Sequence, residues 1–181
     1  MKDLALHVLD IVQNSTVAGA SEVSVFIEHE TAANLLSISI VDNGRGMSAE
    51  TLKMVSDPFF TTRTTRKVGM GISLFKQNAE QTGGSLTIES ELGVGTKLTA
   101  IFKLDHVDRP PMGDIAGVMT LIVGGNPMVR FKYTHVVDGV EFFFDTLEVS
   151  QALEGMPINE PSVMRFLKEM LKENLVSINA I

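Results

Sequence analysis

Four segments of this chain alternate apolar and polar residues with a period of two: "EVSVFIEHE" with Val23, Val25 and Ile27, "LLSISIVD" with Leu36, Ile38 and Ile40, then "SLTIES" and "TKLTAIFKL". A strand of that kind buries one face and leaves the other to water, so the chain is committed to a sheet covered on one side. "TAAN" joins the first pair and "ELGVG" the second, which predicts two hairpins.

The covering layer comes from segments of helical period. From Asp3 to about Ala18, Leu4, Val8, Ile11, Val12 and Ser15 define a buried stripe, while His7, Asp10 and Asn14 share another face. "SAETLKMVS" starts on Ser48 as an N-cap and is stopped by Pro58. Residues 57–71, "DPFFTTRTTRKVGMG", follow neither period and read as a long functional loop. Helical spacing returns from Ile72 to Thr82, with Ile72, Phe75 and Ala79 inward and a stop at Gly83-Gly84. The order α-β-β-α-loop-α-β-β predicts an α+β fold: a two-layer α/β sandwich, with helices on one face of a mixed, mostly antiparallel sheet.

Pro110-Pro111 in "DHVDRPPMGD" must leave regular structure, so the expected division is 1–104 and 105–181. The second part reads as a small helix-hairpin-helix extension: a helix over about 113–124, a hairpin turning at Asp138-Gly139, and a helix over about 160–174. Its strand "VEFFFD" carries apolar residues on both faces, which predicts burial against something.

Hydrophobic residues at 44% with charged ones at 20% exclude a disordered chain. No apolar run approaches the roughly 20 residues that span a bilayer, and Lys2, Asp3 and Asp10 near the start argue against a signal peptide, so the expected location is cytoplasmic, with no membrane partner. The absence of cysteine removes disulfides and thiolate chemistry. His29, His106 and His135 lack ligand spacing, so no transition-metal site is expected. A net charge of −7 disfavours a nucleic-acid partner.

Chemistry concentrates in four places. Asp10 and Asn14, four apart on one helix, stand about 5–6 Å apart at their Cβ atoms and can share a ligand. "DNGRGM" follows the second strand directly, with Gly44 and Gly46 offering bare backbone. In "VGMGISLF", Gly69 and Gly71 open a helix whose first-turn N–H groups can face polyphosphate. Leu74 occupies the third glycine position of a dinucleotide fingerprint, and no Gly-Lys-Ser/Thr of a P-loop occurs. "GVGT" ends on Thr96.

In this order the four resemble the nucleotide-binding domain shared by histidine kinases, gyrase-type topoisomerases, Hsp90 and MutL-like ATPases. "LDIVQNS" is similar to the N box, "DNGRGM" to the G1 box, "DPFFTTR" to the F box, "GMGISLF" to the G2 box and "GVGT" to the closing Gly-Thr segment, over roughly residues 1–104. The resemblance implies ATP and Mg²⁺ as ligands. Asn14 then offers an amide oxygen to Mg²⁺, and Asp42, an acceptor-only carboxylate, takes the exocyclic amino hydrogens of adenine. Gly44 and Gly46 keep side chains off the purine, Met47 and Met70 line its pocket beside Ile72, and Thr96 reaches the adenine edge directly or through water. Arg63, Arg66 and Lys67 close over the phosphates.

Asp10 stands where gyrase-type relatives have a Glu that acts as general base and histidine kinases commonly have Asn. It is the candidate catalytic residue, for water or for a protein hydroxyl. The chain begins nine residues before Asp10, so the expectation is a domain without a histidine phosphoacceptor hairpin; His7 is an ordinary helix histidine or an autophosphorylation site. Three functions stay open at this point: an ATP-dependent switch or slow ATPase controlling a protein partner through 105–181 or the lid, a stand-alone protein kinase, and a non-catalytic nucleotide-binding module. A homodimer is also open.

Overall fold

A computed structural model of the chain describes residues 2–56 and 70–181, with the side chains of Ser56 and Met70 outside that description. The elements run α1 (Leu4–Val17), β1 (Glu22–Glu30), β2 (Leu35–Asp42), α2 (Ala49–Ser56), α3 (Met70–Gln81), β3 (Ser85–Glu91), β4 (Gly95–Lys103), α4 (Ile115–Gly125), β5 (Arg130–Val137), β6 (Val140–Asp145), α5 (Thr146–Ala152) and α6 (Pro161–Ser177).

The strands form one six-stranded sheet in the order β3-β4-β2-β1-β5-β6. Both predicted hairpins pair antiparallel, β1 with β2 and β3 with β4, and β4 also lies antiparallel to β2. The β5–β6 hairpin joins the same sheet, with β5 parallel to β1 in the register Val23↔Phe131. Strands β4 and β5 therefore point the same way, and the chain must cross the sheet between them; α4 is that crossover.

Alternation sets the two faces. Val23, Val25, Ile27, Leu36, Ile38, Ile40, Leu98, Ala100, Phe102, Phe131 and Tyr133 are buried on one side, in one core with Leu4, Val8, Val12 of α1 and Phe75 of α3. The helix α6 adds Val163, Leu167, Leu171 and Leu175 at four-residue spacing, one apolar stripe. On the opposite face Ser24, Ser37, Ser39 and Thr99 stay part-exposed, as the period-two pattern requires.

The C-terminal part is tied to α1. Carbonyls of Pro111 and Met112 accept the N–H groups of Leu4 and Ala5, and Asp3 accepts from Leu6 N, so three free donors of the first turn are satisfied. One element escaped the sequence reading: α5, capped by Asp145, whose Oδ1 accepts Leu147 N–H at 2.9 Å. Among the described residues no helix is long and apolar enough to cross a membrane.

Candidate functional site

The last two turns of α1, the loop after β2 and the ends of β3 and β4 enclose a cavity of about 760 Å³, open mouth included. Its floor is apolar, with Ile11, Ile40, Ile72, Ile88 and Leu98; its polar groups are Asn14, Ser15, Asp42, Arg45 and Thr96.

Asp42 is the last residue of β2 and is held from two sides. Ser15 Oγ donates to Oδ2 at 2.6 Å, and Gly44 N–H donates to Oδ1 at 2.9 Å. Together the two bonds fix the carboxylate plane and leave unused lone pairs for a ligand's N–H. Directly across the ladder stands Thr96, whose hydroxyl lies 2.9 Å from Ser90 Oγ on the next strand. Ser90 also accepts Met47 N–H at 2.9 Å, which ties the loop after β2 to the β3–β4 hairpin.

That loop is fastened through Asn43, Gly44, Arg45 and Met47. Asn43 Oδ1 accepts the N–H groups of Ser21 and Glu22, Arg45 N–H donates to Ala18 O, and Gly93 N–H donates to Arg45 O. Gly46 has φ +64°, and a β-carbon there would lie 1.9 Å from Glu91 O. The glycine makes room for the neighbouring hairpin's backbone, and it also lines the cavity. Gly44 lies behind Asp42, where a β-carbon would meet Ala18 Cβ and Asp42 Oδ1 at 3.0 Å.

Asp10 sits one turn before Asn14 on α1, with its carboxylate against the Cα of Gly71 in the first turn of α3. Thus Asn14, Asp42, Gly46, Met47, Ile72 and Thr96 line one cavity, and Asp10 and Gly71 meet on the neighbouring helices α1 and α3. Met70 begins α3. Arg63, Arg66, Lys67 and Gly69 lie outside the described residues.

His7 is fully buried, and burial lowers its imidazole pKa from 6.5 to about 4, with the amino terminus adding to the effect and Asp3 opposing it. An enclosed ring of that kind is unsuited to take a phosphoryl group.

The reading missed Ser15 and Arg45. Ser15 belongs to the buried stripe of α1 and is buried, but its hydroxyl is aimed at Asp42. Arg45 lines the cavity from within the glycine-rich loop. As to metal, no cluster of three or more His, Cys, Asp or Glu occurs among the described residues. A neutral amide oxygen from Asn14 on the cavity wall suits Mg²⁺, which takes few protein ligands and completes its shell with water and phosphate.

Comparison with known proteins gives the family. The family model described as "Histidine kinase-, DNA gyrase B-, and HSP90-like ATPase" matches residues 2–106. The sensor protein kinase FleS of Pseudomonas aeruginosa is 37% identical over 98 residues, 54% of this chain and 24% of FleS. The sensor histidine kinase ZraS of Escherichia coli is 30% identical over 78 residues, 43% of this chain and 17% of ZraS. The chain thus spans less than a quarter of the length of these relatives. Among solved structures, the Aquifex aeolicus MutL ATPase domain complexed with ADP has a TM-score of 0.50 at 18% identity, covering 85% of this chain and 70% of that one, a likeness of fold. With more than half its length matched, this chain belongs to the histidine kinase-, DNA gyrase B- and HSP90-like ATPase family.

Proposed function

We propose that the chain binds Mg²⁺-ATP in the α1–β2–β4 cavity and uses it as a slow ATPase switch that controls a protein partner in the cytoplasm. One observation carries the reading: a carboxylate, Asp42, is pinned by Ser15 and Gly44 at the rim of an apolar cavity opposite Thr96. An acceptor-only group fixed over an apolar slot takes the amino edge of adenine and rejects a keto edge. Asn14 would hold the metal, which when bound neutralises phosphate charge. Asp10 would orient the attacking water, and the first turn of α3, opened by Gly71, would offer its N–H groups to the phosphates. In this reading residues 1–104 hold the nucleotide and 105–181 transmit its state, supported by the bonds from Leu4 and Ala5 to Pro111 and Met112 and by the packing of α4 on α1.

The test follows the γ-phosphate. Purified protein with Mg²⁺ and γ-labelled ATP is expected to release free phosphate, and Asn14→Ala to abolish the release. Turnover unchanged in Asp10→Asn at equal ATP affinity would remove Asp10 as the base. The kinase names of FleS and ZraS favour a second reading, phosphoryl transfer to a protein; label on a co-purifying protein would establish it. Label remaining on ATP without either outcome would leave a binding module.

A further inference from the structure

Three residues on one face of α1 meet different things in order: Asn14 the cavity, Asp10 the backbone at Gly71, and His7 the side chains of Phe75 and Asn78. The His7 ring is fully buried and stacks on Phe75, with centroids 4.6 Å apart and planes 12° from parallel. Asn78 Nδ2 lies 2.8 Å from His7 Nε2, while Nδ1 has no hydrogen-bond partner among the described residues. Phenylalanine would stack there as well and bury no unpaired nitrogen, so stability alone favours the apolar ring. The imidazole adds one thing that a phenyl ring lacks, a directional bond to α3. With Asn78 donating, Nε2 accepts, a role open to the neutral ring that burial maintains at pH 7.

Asn78 is seven residues beyond Gly71, two helical turns, so both lie on the same face of α3 about 10 Å apart. Fixing Asn78 fixes the rotation of the helix about its axis, and with it the azimuth of Gly71. We propose that His7 is a positioning residue for the phosphate-binding start of α3, acting through Asn78 to hold Gly71 against Asp10. This rests on the nucleotide reading given above. It separates two tasks: Asp42 at the end of β2, held by Ser15 of α1, and Thr96 of β4 recognise the base, while the His7–Asn78 bond aligns only the end that meets phosphate.

The experiment compares affinities for adenosine and for Mg²⁺-ATP by calorimetry in His7→Phe, Asn78→Leu and the double variant. Each single variant is expected to lose about five- to tenfold in Mg²⁺-ATP affinity while adenosine stays within about twofold, and the double variant to be no worse than either. Asn78 is part-exposed, so Asn78→Leu keeps the test alive if His7→Phe folds poorly. Equal loss for both ligands, as a merely structural role would give, overturns the proposal, and so does loss for neither. Wild-type protein that binds neither adenosine nor ATP would instead sink the nucleotide reading itself.

Discussion

The carboxylate of Asp10 occupies the space that a side chain at Gly71 would need: a β-carbon built on Gly71 stands 1.6 Å from Asp10 Oδ2. The two residues come from different helices, α1 and α3, 61 positions apart in the chain. Absence of a side chain at one is what lets the acid at the other lie beside the start of a helix, where N–H groups lack intrahelical acceptors.

Gly71→Ala tests that relationship. The clashing atom is the far end of a flexible side chain, so the carboxylate turns aside and the fold survives, while alanine in a helix is favoured over glycine by about 0.5–1 kcal/mol. The expected outcome is an unfolding temperature equal to or slightly above wild type, with phosphate release reduced about tenfold or more. Unchanged turnover, measured beside thermal melting, would show that Asp10 does not need its place.

Ser15 and Asp42 make a second test. Ser15→Ala removes a 2.6 Å donor from Oδ2 and leaves the Gly44 bond on Oδ1. Adenosine affinity is expected to fall about three- to tenfold with a small change in stability. Asp42→Asn goes further by placing an N–H donor where only acceptors stood, so binding should weaken for ATP and shift relatively toward the keto-edged inosine triphosphate. Competition between the two nucleotides reads the shift, and an unaltered ratio would count against base recognition by Asp42.

What the sequence makes legible follows from which interactions are local. Strands announce themselves by alternation and helices by apolar stripes, so α1, β1, β2, α3, β3 and β4 were readable within a few residues. The parallel pairing of β1 with β5 was not, because Val23 and Phe131 are partners more than a hundred residues apart and no local pattern encodes them. The short helix α5 has only a capping signal, Asp145 with Glu148 three residues on, and too few turns to show a period. In the site, the resemblance of the boxes singled out Asn14, Asp42 and Thr96, and the three line one cavity. Ser15 was not among them, since a buried serine within an apolar stripe looks like core until its partner on β2 is seen. A second constraint on Gly46, the approach of Glu91 O on the neighbouring hairpin, lies outside any local pattern.

Gly46→Ala should therefore fail through the backbone. A left-handed φ costs a non-glycine residue about 1–3 kcal/mol, and the 1.9 Å approach to Glu91 O involves main chain that cannot swing away. A loss of about 2–4 kcal/mol in denaturant unfolding is expected, together with loss of ATP binding, because the displaced hairpin carries Ser90 and Thr96. Gly139→Ala is the comparison, since it shares a positive φ, +84°, but a β-carbon there meets nothing within 4 Å. Equal destabilisation by the two would show that the hairpin contact adds nothing.

The buried histidines set the last expectation, for acid. Burial lowers His7 to about 4 and His135 to about 3, the latter helped by the neighbouring His29, which is itself lowered by burial and by Arg109 against the pull of Asp138. In the unfolded chain the ordinary value is 6.5, so below that pH the unfolded state takes up protons that the folded state refuses. Stability is therefore complete above pH 6.5 and declines on acidification, by up to about 1.4 kcal/mol per pH unit for each such group until its folded value is reached. The lowered carboxylates Asp114, Asp138 and Asp145 start from 3.8 and lose their contribution only below that, so unfolding measured between pH 6.5 and 4.5 isolates the histidines. His135→Phe removes one titrating ring and leaves the hydroxyl of Tyr133 without its 2.6 Å partner, so its absolute stability falls while its pH slope in that window flattens. An equally steep slope in the variant would show that His135 is not the source of the acid sensitivity.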